Sequence, residues 1–474
     1  MFHISLAEND DLGGAIYRQI RRGVVDGVLR PGDRLPASRE LARTLVVARA
    51  TVVTAYERLT AEGFLQSRQG AGTFVNTWSK PDARKSDERE RQQALQPRSI
   101  WNAISLPTAF DAEARYDFRT GLPDASLFPH RQWRRLVNRA LRIAEINPQG
   151  KYDTPAGHPR LRSAIARHIG VSRGITASED DLVITSGTQQ AIDLVSRVLL
   201  EPGDRVAVET PGYEATRRSF EAAGADVVGV PVDDEGIVVE AIPRDVRAIY
   251  VTPSHQYPMT VTMSMSRRRA LLDWADLHGA AIIEDDYDGE FRFEGRPLEA
   301  LQTLDSHGRV IYVGSFSKTL LPALRLGFVL VPPTLRTAIR KAKYVSNWHG
   351  PLLEQSVLAE YIESGSFARH VRRLSGAYRA RHRLIAEIIR RDFLDHLELV
   401  PSHTGLTLTA LAKSANVQQL AVTASRAAAL GVEINQLSSF EFGRPPQAGI
   451  VLGCGGIAVA DIEPGLQLLR RCFD

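Results

Sequence analysis

The 474-residue sequence predicts an α/β domain over residues 116–474, a small α+β module over residues 1–76, and a polar connector, 77–115, between them. Three observations predict this. Short apolar runs alternate with helical stretches through the larger part, the pattern of an α/β fold. Residues 12–76 hold three helical patterns and one hairpin pattern in a short span. Between the two parts, Lys80 to Arg98 is rich in Arg, Asp, Glu and Gln and has no periodic apolar residues. Such a composition buries too little surface to fold alone.

The bulk composition, 43% hydrophobic and 24% charged, is that of an ordinary globular protein. No apolar stretch approaches the roughly 20 residues that span a membrane. The acidic start (Glu8, Asp10, Asp11) lacks the basic-then-apolar order of a secretory leader. Cys454 and Cys472 make neither a disulfide framework nor a metal set, so a reducing cytoplasm is expected and no metal. Net charge is +4 and unevenly spread. Leu12 to Lys80 carries 11 basic and 5 acidic residues, an excess of six, which leaves the remainder near −2. A basic segment on a near-neutral body points to nucleic-acid contact at one end.

In the small module, Ile16, Ile20, Val24 and Val28 lie four apart and predict one helical face over Leu12–Leu29, stopped by Pro31-Gly32-Asp33. A second helix is expected from Leu35-Pro36-Ala37-Ser38-Arg39-Glu40-Leu41-Ala42, with Ser38 as its cap. A third runs from about Arg49 to Glu62, with Val52, Tyr56 and Leu59 inward. Phe64-Leu65 and Thr73-Phe74-Val75 flank Gly70-Ala71-Gly72, a hairpin with a glycine turn. A helix, a helix-turn-helix and a hairpin wing make a winged helix. Pro31 to Pro36, Ser38 to Ala42, Thr51-Val52, Tyr56 to Leu59 and Glu62 to Leu65 resemble the DNA-binding domain of the GntR family. The resemblance implies a double-stranded DNA operator as partner. It places Arg39 and Arg49 on DNA from helix starts, Thr51 from the recognition helix, and Gln69 and Gly70 from the wing. Arg34, like Arg43 and Arg68, fits a phosphate contact or a plain surface charge. Arginine suits both tasks, because its fork matches guanine edges and phosphates alike. Val46, Ala48 and Ala50 depart from the family, which has glycine in the turn, a hydroxyl cap and often a polar residue there.

In the larger part, strands are expected at Leu182–Thr185, Arg205–Glu209, Asp226–Val230, Ala248–Thr252, Ala280–Glu284, Arg309–Val313 and Leu326–Val331. Chemistry-bearing residues follow several of them. Ser186-Gly187-Thr188 opens a helix, whose N-terminus favours a phosphate. Tyr213 follows Pro211-Gly212. Glu284-Asp285-Asp286-Tyr287-Asp288 ends one apolar run, and Gly314-Ser315-Phe316-Ser317-Lys318 follows another. This ordered set resembles fold-type-I pyridoxal phosphate (PLP) enzymes of the aspartate aminotransferase class. The resemblance implies PLP as cofactor, with Lys318 forming the Schiff base. It implies that Asp285 pairs with the ring nitrogen, Tyr287 bonds the phenolic oxygen and Tyr213 stacks on the ring. Gly187, Thr188, Ser315, Ser317 and Arg325 hold the phosphate, Arg325 as a charge-assisted partner.

Thr252-Pro253-Ser254-His255-Gln256-Tyr257-Pro258, Glu284 to Phe291 and Asp153 to His158 are similar to the MocR subgroup of GntR regulators, whose sensor domain is a retired aminotransferase. Tyr257 stands where enzymes place Asn, and Thr260 where the subgroup keeps Gly. Members that sense γ-aminobutyrate hold its carboxylate with two arginines; Val451 and Ala215 stand at those positions here. A carboxylate clamp of that kind is therefore not expected; the nearby Arg217, Arg218 and Arg444 are read as surface charges or as contacts to another ligand. The resemblance implies a transcriptional regulator sensing PLP itself or a small amine, as the vitamin B6 sensors of the subgroup do. It also implies a head-to-tail, domain-swapped homodimer. The rival expectation is a working aminotransferase with an attached DNA-binding domain; a third is a purely structural cofactor.

Overall fold

The computed structural model describes residues 4, 11–68, 70–76, 95–104, 106, 114–142, 151–293 and 299–473. The chain divides into two compact units, Met1–Gln96 and Pro97–Asp474.

The first unit contains helices α1 (Leu12–Val25), α2 (Ser38–Leu45) and α3 (Arg49–Ala61), then strands β1 (Leu65–Arg68) and β2 (Gly72–Val75). The strands pair antiparallel, Leu65 opposite Val75 and Arg68 opposite Gly72, as a wing. Ile16, Ile20, Val24, Val52, Tyr56, Leu59 and Leu65 close one core. Two expectations need correction. α1 ends at Val25, before Pro31-Gly32-Asp33, because Gly27 takes φ +75° and turns the chain. Val28 is thereby left 63% exposed and Leu29 fills the core instead. Ser38 is not the cap of α2: Ala37 holds that position, and Ser38 Oγ, inside the helix, accepts from Arg49 Nε at 3.5 Å. Gln69 lies outside the described residues, as does most of the connector. A short helix, Ile100–Ala103, forms within the span expected to be a polar linker.

The second unit is built on an eight-stranded sheet. Its strands are β3 (Leu182–Thr185), β4 (Arg205–Thr210), β5 (Asp226–Asp233), β6 (Gly236–Ile237), β7 (Val246–Val251), β8 (Ala281–Asp286), β9 (Val310–Ser315) and β10 (Gly327–Leu330). Their spatial order is β3-β10-β9-β8-β7-β4-β5-β6. β9, β8, β7, β4 and β5 run parallel, while β10 runs antiparallel to both β9 and β3. The central strands are mostly buried, Arg247 excepted, and are rich in Val, Ile and Ala, as strands covered on both faces are. Helices α4 (Pro159–Arg173) and α5 (Thr188–Leu199) belong to this layered body. A second, four-stranded antiparallel sheet follows: β11 (Leu397–Leu399), β12 (Thr407–Ala412), β14 (Gly449–Gly453) and β13 (Asn435–Gln436), in that order. Its core includes Tyr378 and Ile385 of the long helix Ser366–Asp392 and Leu466 of Val459–Arg471. Among the described residues no helix is long and apolar enough to cross a membrane.

Candidate cofactor site

The strand order reverses between β3 and β4, which follow each other in sequence but lie five places apart in the sheet. Open α/β sheets bind ligands beyond the carboxyl ends of strands at such switch points. A cavity of about 500 Å³ opens there. Its lining includes Thr188, Tyr213, Asp285, Tyr287, Ser315, Ser317, Lys318 and Arg325, all expected from the sequence. Gly187 adjoins it as the residue that caps α5, at φ +83°.

Each side chain is placed by its strand end. Asp285, near the end of β8, is fully inside the protein. It accepts from the Tyr250 hydroxyl at 2.6 Å through Oδ2, while Oδ1 is buried with no partner among the described residues. Burial pushes its carboxyl up to about 7, against the pull of the Tyr250 hydrogen bond. Lys318 follows β9 and donates from Nζ to the Gly121 carbonyl at 2.6 Å. Burial draws its ammonium below the ordinary lysine range, against Asp288 and Asp285, which pull it up. A lysine that loses its proton readily is a usable nucleophile. Ser315 Oγ donates to Ser317 Oγ at 3.0 Å and accepts from the Ser317 amide at 3.1 Å. Arg325 adopts φ +50° and donates to the Ser186 carbonyl at 2.5 Å, so its guanidinium lies over the α5 N-terminus. A Cβ on Gly187 would come within 2.8 Å of that guanidinium. Glycine there, a helix N-terminus and an arginine form a cradle for a dianion.

The orphaned Asp285 oxygen suits a protonated ring nitrogen, and the low-affinity proton on Lys318 suits an aldehyde. The residues therefore fit pyridoxal phosphate at both ends. Tyr213 is 40% exposed at the cavity edge and meets Tyr257 edge-to-face at 5.8 Å. The Tyr287 hydroxyl lies 2.9 Å from His255 Nδ1, and the Tyr257 hydroxyl 2.6 Å from Thr120 Oγ1. Thr260 takes φ +66°, the left-handed region that a glycine would occupy freely.

Sequence reasoning missed Thr120, Gly121, Leu122, Tyr250, Asp288 and Thr407 of the lining. Tyr250 was legible in part: it sits opposite Ile283 in the register of β7 and β8, beside Asp285. Thr120 to Leu122 come from a loop that no local pattern ties to the sheet. Arg217 and Arg218 are bound to Glu214 and Glu221, and Arg217 stacks over Phe442 at 4.4 Å. Val451 is fully buried in β14, opposite Thr409. Among the described residues, Lys318 and Arg325 are the two cations of the lining.

In the first unit, Arg34, Arg39, Arg49 and Gly70 are exposed and Thr51 half-exposed at the start of α3. Arg34 packs against Gly72 of the wing and Arg68 stacks over Phe74 at 5.0 Å. Ala48 caps α3 with no side-chain hydrogen bond, and Val46 turns the chain at φ +54°.

The architecture and site define a DNA-reading module on an aminotransferase-like body. Residues 12–75 match the gntR family of bacterial regulatory proteins and residues 116–441 match class I and II aminotransferases. The chain is 38% identical to "Probable rhizopine catabolism regulatory protein MocR" of Rhizobium meliloti, over 97% of this chain and 93% of that one. It is 33% identical to the HTH-type pyridoxine biosynthesis transcriptional regulator PdxR of Corynebacterium glutamicum, over 93% and 91%. Its fold is similar to kynurenine aminotransferase of Pyrococcus horikoshii, solved with PMP: TM-score 0.72, 27% identity, 81% of this chain and 97% of that one. The chain belongs to the MocR-type regulators of the GntR family, transcriptional regulators that join a winged helix-turn-helix to a class I and II aminotransferase domain.

Proposed function

We propose that the chain is a PLP-gated regulator in which the cofactor is itself the effector, and that it does not work as a transaminase. The supporting observation is the charge inventory of the cavity. Lys318 and Arg325 are its two lining cations, and both are committed once PLP is held. Among the described lining residues no further cation is left to grip the carboxylate of an amino acid; nearby, Arg217 and Arg218 are tied to glutamates, Val451 is apolar and Arg444 is exposed. A small amine without a carboxylate is the second effector class compatible with this inventory.

In this reading Gly187, Thr188, Ser315, Ser317 and Arg325 hold the phosphate. Tyr213 covers the ring, Asp285 holds the proton of the ring nitrogen, and Lys318 presents its amine to the aldehyde. Bound PLP supplies an aldehyde that captures amines and a ring that withdraws electrons. Residues 1–76 read the operator through Arg34, Arg39, Arg49, Thr51, Gln69 and Gly70, and 77–115 link them to the sensor over 116–474. The working unit is a homodimer, head to tail, acting in the cytoplasm. A linker of this length spans about 30–40 Å even as a flexible coil, which allows each reader to cross to its partner.

The test is operator binding at fixed salt by cofactor-free and PLP-loaded protein, with DNA selected from random duplexes by the loaded protein. Affinity should change on loading with no amino acid present. Equal affinities would overturn the reading. A two-substrate transamination assay separates it from the enzyme alternative: half a transamination, for which Asp285 and Lys318 suffice, leaves the reading standing, and sustained turnover would overturn it.

A further inference from the structure

Behind the cofactor cavity lies a small polar chamber of about 20 Å³, lined by residues including Arg173, His255, Asp288, Phe291 and Thr404. That is room for one water molecule. Four lining residues carry a buried polar atom without a partner among the described residues: Arg173 Nη2, His255 Nε2, Asp288 Oδ1 and Thr404 Oγ1. The side chains of His255 and Asp288 are each 1% exposed. Gly405 closes over the pair at φ +76°; a Cβ there would lie 2.0 Å from His255 Cε1 and 2.5 Å from Asp288 Oδ2.

The hydrogen bonds fix the direction of the protons. Asp288 Oδ2 accepts from the Leu406 amide at 3.1 Å and lies 3.0 Å from His255 Nδ1. A carboxylate only accepts, so Nδ1 carries the imidazole proton. The Tyr287 oxygen, 2.9 Å from the same Nδ1, must then accept from it too. Its own proton is left to point elsewhere, and Tyr287 lines the cofactor cavity. Burial holds the Tyr287 phenol well above its ordinary range, so that proton stays on to be donated. Nε2 remains as a buried acceptor facing the chamber. Around these groups stand Asp285, Asp288, Tyr250 and Tyr257 on the Tyr287 side and His382 on the His255 side.

We propose that His255 is a positioning residue for the cofactor: fixed as its Nδ1–H tautomer by Asp288, it turns the Tyr287 hydroxyl proton into the cavity, and one water in the chamber donates to its Nε2. That water donates also to Asp288 Oδ1 and accepts from Arg173 Nη2 and Thr404 Oγ1, which completes all four of its bonds. The inference rests on the reading in which Tyr287 bonds the phenolic oxygen of PLP. A proton donated there favours the anionic oxygen and lowers the pH at which the bound chromophore titrates.

The test is a pH titration of visible absorbance on PLP-loaded, full-length protein. Tyr287→Phe should raise the midpoint by about one unit, a tenfold change in proton affinity. His255→Phe should shift it the same way, and the double variant should match Tyr287→Phe alone, because the histidine acts through the tyrosine. His255→Asn, which keeps an N–H near the Nδ1 position, should restore the wild-type midpoint. An unshifted midpoint in His255→Phe, or additive shifts in the double variant, would overturn the proposal. A second measurement needs no folded variant: histidine nitrogen-15 spectra of the wild type should show a neutral Nδ1–H ring for His255, and an Nε2–H ring overturns it. A wild type that takes up no PLP would refute the cofactor reading itself, a result distinct from either.

Discussion

Asp285 shows how one buried carboxylate sets both the ligand and the stability of the empty fold. Its pKa is raised to about 7, chiefly by burial. A group raised above its ordinary value near 4 stabilises the fold at low pH and loses that contribution as pH rises through the folded value. The loss between pH 5 and pH 7 is about 2 kcal/mol for this group. Asp285→Asn keeps an acceptor for Tyr250 and removes the titration. Urea unfolding of cofactor-free protein should therefore show the wild type losing about 2 kcal/mol more than the variant over that interval. Equal losses would mean that Asp285 does not titrate there. On the proposed role of Asp285 the same substitution would leave the ring nitrogen without its anion, so PLP affinity, read by spectrophotometric titration, should fall by at least about tenfold. Most residue types of this site were legible in the sequence because they lie at or just after the carboxyl end of a strand, whereas Arg325 precedes β10. The pairing of Tyr250 with Asp285 and the Thr120–Leu122 loop were not, since their place depends on sheet register and on chain closure over more than a hundred residues.

Helix α3, the proposed DNA-reading helix, is entered through two local defects. Val46, 90% exposed, is held at φ +54°, where a β-branched residue is strained by about 1–2 kcal/mol. Ala48 caps the helix with no side-chain oxygen for the free amides of the first turn. Val46→Gly and Ala48→Ser should each stabilise the unit by about 1 kcal/mol, read as slower hydrogen exchange along α3. Unchanged exchange in both would place the weak point elsewhere. The two arginine classes separate by salt. If Arg34, beside the wing, contacts a phosphate as proposed, Arg34→Ala should weaken binding to all duplexes and lower the salt slope by about 1. Arg39→Ala should cost about 1–3 kcal/mol on the selected operator and less on unrelated DNA. A uniform loss for Arg39→Ala would move it to the phosphate class. The elements themselves were readable from periodicity, and the misreadings lie at their ends. Gly27 ended α1 four residues early by conformation, a choice the apolar spacing of Ile16, Ile20, Val24 and Val28 does not encode. Ser38 looked like a cap by type, but capping requires the extended backbone that Ala37 adopts.

At the scale of the whole chain, the question is whether two independently cored units exchange free energy. The winged helix closes its own core around Ile16, Val52 and Leu59, and the sensor closes several others, so each unit has an interior of its own. Coupling is then defined by the difference PLP makes to DNA affinity, and thermodynamics demands that DNA make the same difference to PLP affinity. Typical couplings of 1–3 kcal/mol correspond to about 5–150-fold. Both sides are measurable on one preparation. Operator affinity with and without PLP comes from fluorescence anisotropy, and PLP affinity with and without saturating operator comes from the visible absorbance. The two ratios should agree and exceed about fivefold. Lys318→Ala should bring both ratios towards one if the covalent bond carries the signal, while leaving the winged helix able to bind DNA at its cofactor-free affinity. Ratios of one in the wild type would make PLP a structural group in a constitutive DNA binder. Unequal ratios would reveal a third equilibrium, such as dimerisation, and repeating both titrations across protein concentrations would expose it, because an association step shifts with concentration and an intramolecular one does not.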